Sequence, residues 1–124
     1  MRVITPSTDP IRTPAATMTT LASPSLGSAE LSTWRVEMAP DTSGPEHSVD
    51  REQIWTLTRG TLEITAEGTT HTARAGQTVV LPAGMVRRVN CPAGEPAEAL
   101  VAMAADGRAA VPGDATSRPV PWAR

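Results

Sequence analysis

The apolar positions of this chain come in short runs, and several of them alternate strictly with polar ones. In Leu31-Ser32-Thr33-Trp34-Arg35-Val36-Glu37-Met38, the residues Trp34, Val36 and Met38 fall on one face and Arg35 and Glu37 on the other. That period of two predicts a half-buried strand. Gln53 to Thr58 predicts the next strand and is closed by Gly60. Thr61 to Ala66 and Thr69 to Ala73 flank Glu67-Gly68, the pattern of a tight hairpin. Thr78 to Leu81 is stopped by Pro82-Ala83-Gly84, and Met85 to Asn90 and Ala97 to Ala104 supply two more strands. No stretch carries the apolar period of a three-turn amphipathic helix. Many short strands with turn residues between them predict an all-β sandwich or barrel.

The ends read differently. Residues 1–29 are rich in Pro, Thr and Ser and predict an extension with two edge strands, at Val3-Ile4 and at Met18 to Leu21, lying on the barrel or on a partner subunit. Residues 30–104 form the barrel. Residues 105–124 form an irregular tail that packs on it, with Trp122 as the anchor.

Composition narrows the function. At 124 residues the chain makes one domain, and its twelve prolines and nine glycines suit a turn-rich fold. The formal net charge is −2, Lys, Phe and Tyr are absent, and the Arg residues form no stripe, so nucleic-acid binding is not expected. A single cysteine, Cys91, allows no disulfide within the chain. No apolar run has the length of a signal peptide or a membrane span, so a cytoplasmic protein without a membrane partner is expected.

Two segments resemble the paired motifs of the cupin superfamily. The first, G-x5-H-x-H-x(3,4)-E-x6-G, is matched by His47 through Gly60; the second, G-x5-P-x-G-x2-H-x3-N, by Gly76 through Cys91. The glycine and proline skeleton fits at Gly60, Gly76, Pro82 and Gly84. The resemblance implies a double-stranded β-helix, the jelly-roll barrel of a small single-domain cupin. It also implies a metal held by three His and one Glu. Carried over residue by residue, those positions fall on His47, Val49, Gln53 and Arg87, and the closing Asn falls on Cys91. Valine has no donor atom and the Arg87 guanidinium has no lone pair, so neither metal nor cofactor is expected. A one-residue slip would bring Glu52 to the ligand position, but it would also turn Trp55 and Leu57 out of the interior.

The expected site is a small-molecule pocket in the barrel mouth. His47, Arg87 and Gln53 are the candidate catalytic residues, with Trp55, Val49, Val89, Cys91 and Glu52 around the substrate. A buried Arg87 requires an anionic or multi-acceptor partner: a ligand carboxylate or enolate, or an internal pair with Glu52 or Asp50. Beside Arg87, His47 is expected to be a neutral base. His71 reads as an ordinary residue of the hairpin's return strand, the alternative being a second pocket base. Three functions follow: a metal-independent proton-transfer enzyme (isomerase, epimerase, dehydratase or cyclase) of specialised metabolism; a binding module without chemistry; or a metal-dependent oxygenase with a degenerate site. Because the N-terminal strands lack an obvious place, a homodimer is expected.

Overall fold

The computed structural model describes residues 1–124. Thirteen strands and two short 3-10 turns follow one another: β1 (Ile11–Arg12), β2 (Thr17–Ala22), a 3-10 turn at Pro24–Leu26, β3 (Leu31–Met38), β4 (Thr42–Ser43), β5 (Ser48–Val49), β6 (Gln53–Arg59), β7 (Thr61–Ala66), β8 (Thr69–Arg74), β9 (Thr78–Leu81), β10 (Arg87–Cys91), β11 (Ala97–Ala104), β12 (Arg108–Ala110), β13 (Arg118–Pro119) and a 3-10 turn at Pro121–Ala123.

The strands build two facing antiparallel sheets, β1-β2-β3-β11-β6-β9 and β4-β10-β7-β8. A small third sheet, β13-β12-β5, carries the residues after the barrel. From β6 to β11 the chain keeps exchanging sheets, so each alternating strand turns one face to the space between them. That exchange defines a jelly roll. It needs sharp corners, and Gly60 sits at the one between β6 and β7 with φ 70°. A Cβ there would lie 2.3 Å from the Pro96 carbonyl oxygen, so no other residue fits.

The alternation read from the sequence is the burial pattern of the sheets. Trp34, Val36 and Met38 of β3 are buried, opposite Val101, Ala99 and Ala97 of β11. Large side chains on one strand thus face smaller ones on the next, the arrangement that lets them interdigitate. Leu57, Leu62, Ile64, Ala73, Leu81 and Val89 close the same core from the other strands.

The ends depart from expectation in part. Residues Met18 to Leu21 lie in β2, which pairs with β3 of the same chain. The strand therefore has a place on its own barrel. Val3-Ile4 is not a strand: Val3 is 97% exposed, and the outermost pairing is made instead by Ile11–Arg12. Two apolar residues are too few to offset the entropy of ordering a third edge. The C-terminus is held by its backbone: Thr20 donates to the Trp122 carbonyl at 2.7 Å and Ser32 to that of Ala123 at 2.5 Å. Ala123 is buried and Trp122 only partly so, which makes Ala123 the inner residue of this anchor.

Candidate functional site

Strand parity aims the site. On β6, Gln53, Trp55 and Leu57 point between the sheets, while Glu52 and Ile54 are exposed. On β10, Arg87, Val89 and Cys91 point inward and are buried. Arg87 and His47 form an antiparallel bridge and exchange two backbone hydrogen bonds, His47 N–H to the Arg87 carbonyl at 3.0 Å and Arg87 N–H to the His47 carbonyl at 2.9 Å. Residues paired in this way carry their side chains on the same face. Val49, two residues on, is also buried, and its carbonyl accepts from Gly84 N–H at 2.8 Å. The structure thus brings His47, Val49, Gln53, Trp55, Arg87 and Val89 to one end of the interior.

Arg87 is 2% exposed, and no carboxylate contacts it. Its Nη2 donates to Oε1 of Gln53 at 2.5 Å, and its Nε is buried without a partner. The same Gln53 oxygen accepts from Trp55 Nε1 at 3.0 Å, while Gln53 Nε2 faces the Met103 sulfur at 3.4 Å. Burial pulls the guanidinium down to about 10. His47 Nδ1 lies 2.9 Å from the Pro45 carbonyl, which requires the proton on Nδ1 and leaves Nε2 with its lone pair free. Burial lowers the His47 pKa; the Pro45 hydrogen bond opposes this, and the Arg87 charge adds to the lowering.

Three expectations need correction. Arg87 has no internal ion pair: Glu52 is exposed on the opposite parity, and the Asp50 carboxylate accepts from Arg108 N–H at 2.7 Å. Glu52 thereby also leaves the set of pocket residues. Arg51 makes its two-pronged pair with Asp106 at 2.8 and 3.0 Å. Cys91 is buried, but it stands four residues along β10 from Arg87, roughly 13 Å at strand spacing. It faces the Pro92 and Glu95 carbonyls at the opposite end, and burial raises its pKa, so it is not a pocket residue.

A cavity of about 550 Å³ runs between the unpaired edges of β8 and β9. Its walls are Ile64, Ala66 and Ala73 on one sheet and Val79 and Leu81 on the other, with Met85 beside them. His71 is on this wall. It is the register partner of buried Ile64, so it shares the inward face, although it is exposed at the edge. The signal was present in the sequence, since pairing Ala66 with Thr69 across the Glu67-Gly68 turn sets Ile64 opposite His71. Two of its lining residues neighbour the polar cluster in the sheets, Ala66 being paired with Arg87 and Leu81 with Gln53, but neither Arg87 nor Gln53 lines the cavity.

A jelly roll with a polar cluster converging between its sheets defines a cupin-type barrel. The family model described as Cupin domain matches residues 34–103, and the chain belongs to that family. No curated protein sequence matches it with significance. Among solved structures it is similar to the polyketide cyclase RemF from Streptomyces resistomycificus, with a TM-score of 0.72 and 19% identity over 94% of this chain and 80% of that one. It is also similar to a Cupin 2 conserved barrel domain protein from Salinispora arenicola (TM-score 0.64, 24% identity, 71% and 74% covered). KdgF from Halomonas sp. gives a TM-score of 0.66 at 16% identity over 77% of this chain and 84% of that one. At these identities the likeness is one of fold.

The residues present do not fit the metal that the family motif implies. Val49 offers no donor, and Arg87 brings a permanent cation. The amide oxygen of Gln53 is taken by two N–H donors. Nowhere do three or more His, Cys, Asp or Glu side chains cluster as a ligand set. His47 alone makes no site, because a first-row ion needs three or four protein donors.

Proposed function

We propose that this cupin binds a small oxygenated, anionic metabolite at Arg87 and moves a proton at His47 without a metal. The observation that carries the reading is a buried guanidinium whose protein partner is a neutral amide and whose Nε–H is buried without a partner. A cation kept from water in this way retains an unmatched charge, and a carboxylate or enolate oxygen supplies the match.

The chemistry follows from the neighbour. His47 Nε2 takes a proton from a carbon acid, and the electron pair of the broken C–H bond moves onto the adjacent carbonyl oxygen. Arg87 and the amide of Gln53 stabilise that oxyanion. Returning the proton to the same or another atom gives isomerisation or epimerisation; loss of a β-hydroxyl gives dehydration, and attack on a second carbonyl gives cyclisation. That the similar fold of RemF serves a polyketide cyclase supports this class and a role in specialised metabolism, by analogy of fold alone.

A second reading is a binder without turnover. It is favoured by the closed bonding of Gln53, Trp55 and Arg87 among themselves, which holds a recognition site rigid without a ligand.

Deuterium incorporation into acetoacetate in D2O, followed by NMR, separates the two, since that probe carries both an anion for Arg87 and an acidic CH2. An enzyme accelerates exchange, loses most of it on His47→Ala, and still binds the probe. Binding that depends on Arg87 with no accelerated exchange leaves the binding module. Exchange unaffected by both His47→Ala and Arg87→Met overturns the proposal.

A further inference from the structure

We propose that residues 108–119 form a strap that lifts off β5 to admit the ligand to Arg87, and that Asp50 is its latch. This rests on the reading of Arg87 as the anion-binding group and adds how that group is reached and what controls access to it.

The need for a moving part comes from burial. Arg87 is 2% exposed, and it lines neither the 550 Å³ cavity nor the one of about 390 Å³ beside Pro92 to Glu95. A ligand therefore meets the guanidinium only after a segment over it has moved. The segment bridged to Arg87 is the one that carries His47. From His47 the chain runs straight into β5, a strand of two residues. Val49 of β5 is buried and its carbonyl is bonded to Gly84 N–H, so β5 is part of the wall on this side of the interior.

The strap holds β5 from outside. β12 pairs with it, Ala109 opposite Val49 and Ala110 opposite Ser48. Asp50 closes the seam twice: its N–H donates to the Arg108 carbonyl at 3.0 Å, and its carboxylate accepts from Arg108 N–H at 2.7 Å. Hydrogen bonds from the strap to the rest of the chain are confined to Ser48, Val49 and Asp50. The Arg108 side chain turns back to Ser117, within the strap.

Burial separates fixed ends from a loose middle. Gly107 is buried against the Met103 side chain at one end, and Val120 is buried at the other, with Ala123 beyond it bonded to Ser32. None of the residues from 108 to 119 is buried. Segments with few buried apolar contacts open at far lower free energy than a core. The exposed Arg51–Asp106 pair at the foot of the strap adds little to hold it down. A segment tied at both ends and bonded along one three-residue seam lifts in its middle without unfolding the barrel. Lifting it frees the edge of β5 one residue from His47, so access to Arg87 and the placement of the base change together. The strap follows the segment shared with the family, which ends at residue 103, so the shared barrel does not include it.

The test locks the strap with a disulfide. Ser48 and Ala110 are register partners and both are half-buried, and such partners lie about 5.5 Å apart at Cα, within the span of a disulfide. The Ser48→Cys, Ala110→Cys variant is compared oxidised and reduced, so the reduced form is its own control. Asp50→Ala opens the latch, and Arg87→Met controls for the binding group. Circular dichroism checks that each variant is folded. Amide hydrogen exchange, with no ligand present, is read at His47, Asp50 and Arg87. Stopped-flow tryptophan fluorescence reads the association of acetoacetate. In the wild type the three amides should exchange about a hundredfold or more faster than the β3–β11 ladder. The disulfide should slow His47, Asp50 and Arg87, and Asp50→Ala should speed His47 and Arg87. Acetoacetate association should fall about tenfold or more in the oxidised form, recover on reduction and rise in Asp50→Ala. Three amides as protected as the β3–β11 ladder would show that the strap stays down and overturn the inference whatever the ligand does. Association unchanged by the disulfide, with binding still lost in Arg87→Met, overturns the strap as the entrance and spares the Arg87 reading. Acetoacetate binding that is absent, or indifferent to Arg87→Met, overturns that reading and the entrance with it.

Discussion

Arg87 and Gln53 are joined through a single oxygen: Nη2 of the guanidinium donates to Oε1 of the amide at 2.5 Å, and the same oxygen takes the Trp55 indole N–H at 3.0 Å. A buried charge is thereby held by a neutral acceptor that is shared with a third group. The consequences of this arrangement can be measured.

The first is that Arg87 costs the fold stability. Burial holds its folded pKa at about 10, well below the ordinary guanidinium value, a depression worth roughly 3 kcal/mol by linkage. The sign is that of a base whose charged form is disfavoured in the folded state. The penalty is present throughout the range below about pH 10 and is relieved as pH climbs from there toward the ordinary guanidinium pKa. Arg87→Met removes the charge and keeps most of the volume, though it gives up the bond to Gln53. A net gain of about 1–2 kcal/mol is expected, seen as a rise in Tm of about 3–8 °C. Thermal unfolding at pH 7 checks it, and a fall in Tm of similar size would mean that the guanidinium is structural.

Gln53 is the reverse case. Gln53→Leu strips the acceptor from both Arg87 and Trp55 and leaves a buried cation with no partner. A loss of about 3–5 kcal/mol is expected in urea unfolding. Gln53→Glu instead places a carboxylate beside the guanidinium, and it should retain or raise stability while abolishing binding of an anionic ligand. Titration calorimetry with acetoacetate reads that loss.

Parity alone placed Gln53, Trp55 and Leu57 inside and Glu52 outside, because strand side chains alternate without exception along a straight run. Gly60 and Gly84 marked corners because those corners need positive φ, and both have it, at 70° and 81°. The partner of Arg87 was not legible, since it depends on which side chains meet across sheets rather than along a strand. The same holds for Cys91: it shares Arg87's face, so periodicity admitted it to the pocket, and only its distance along β10 removes it. His71 stays ambiguous in the sequence for a different reason. Its face follows from the hairpin register, but its exposure at the sheet edge makes it look like any polar strand residue.

His47 carries a pH signature. Burial foremost, and the Arg87 charge, lower its pKa in the folded state. The unfolded chain therefore binds a proton at a higher pH than the folded one. His47's contribution to stability is complete above about pH 6.5 and declines as pH falls below it. Urea midpoints between pH 5 and 7 should fall with acidification more steeply in the wild type than in His47→Gln. Equal slopes would show that His47 is not buried in its neutral form.

The most direct test is metal analysis of the purified protein after dialysis against zinc, nickel and iron(II) in turn, alongside the triple variant Val49→His, Gln53→Glu, Arg87→His. The variant regains three donors beside His47 and should retain close to one equivalent of metal, while the wild type should retain none above the buffer blank. Stoichiometric metal in the wild type, lost on His47→Ala, would contradict the account that a guanidinium has taken the place of the ion.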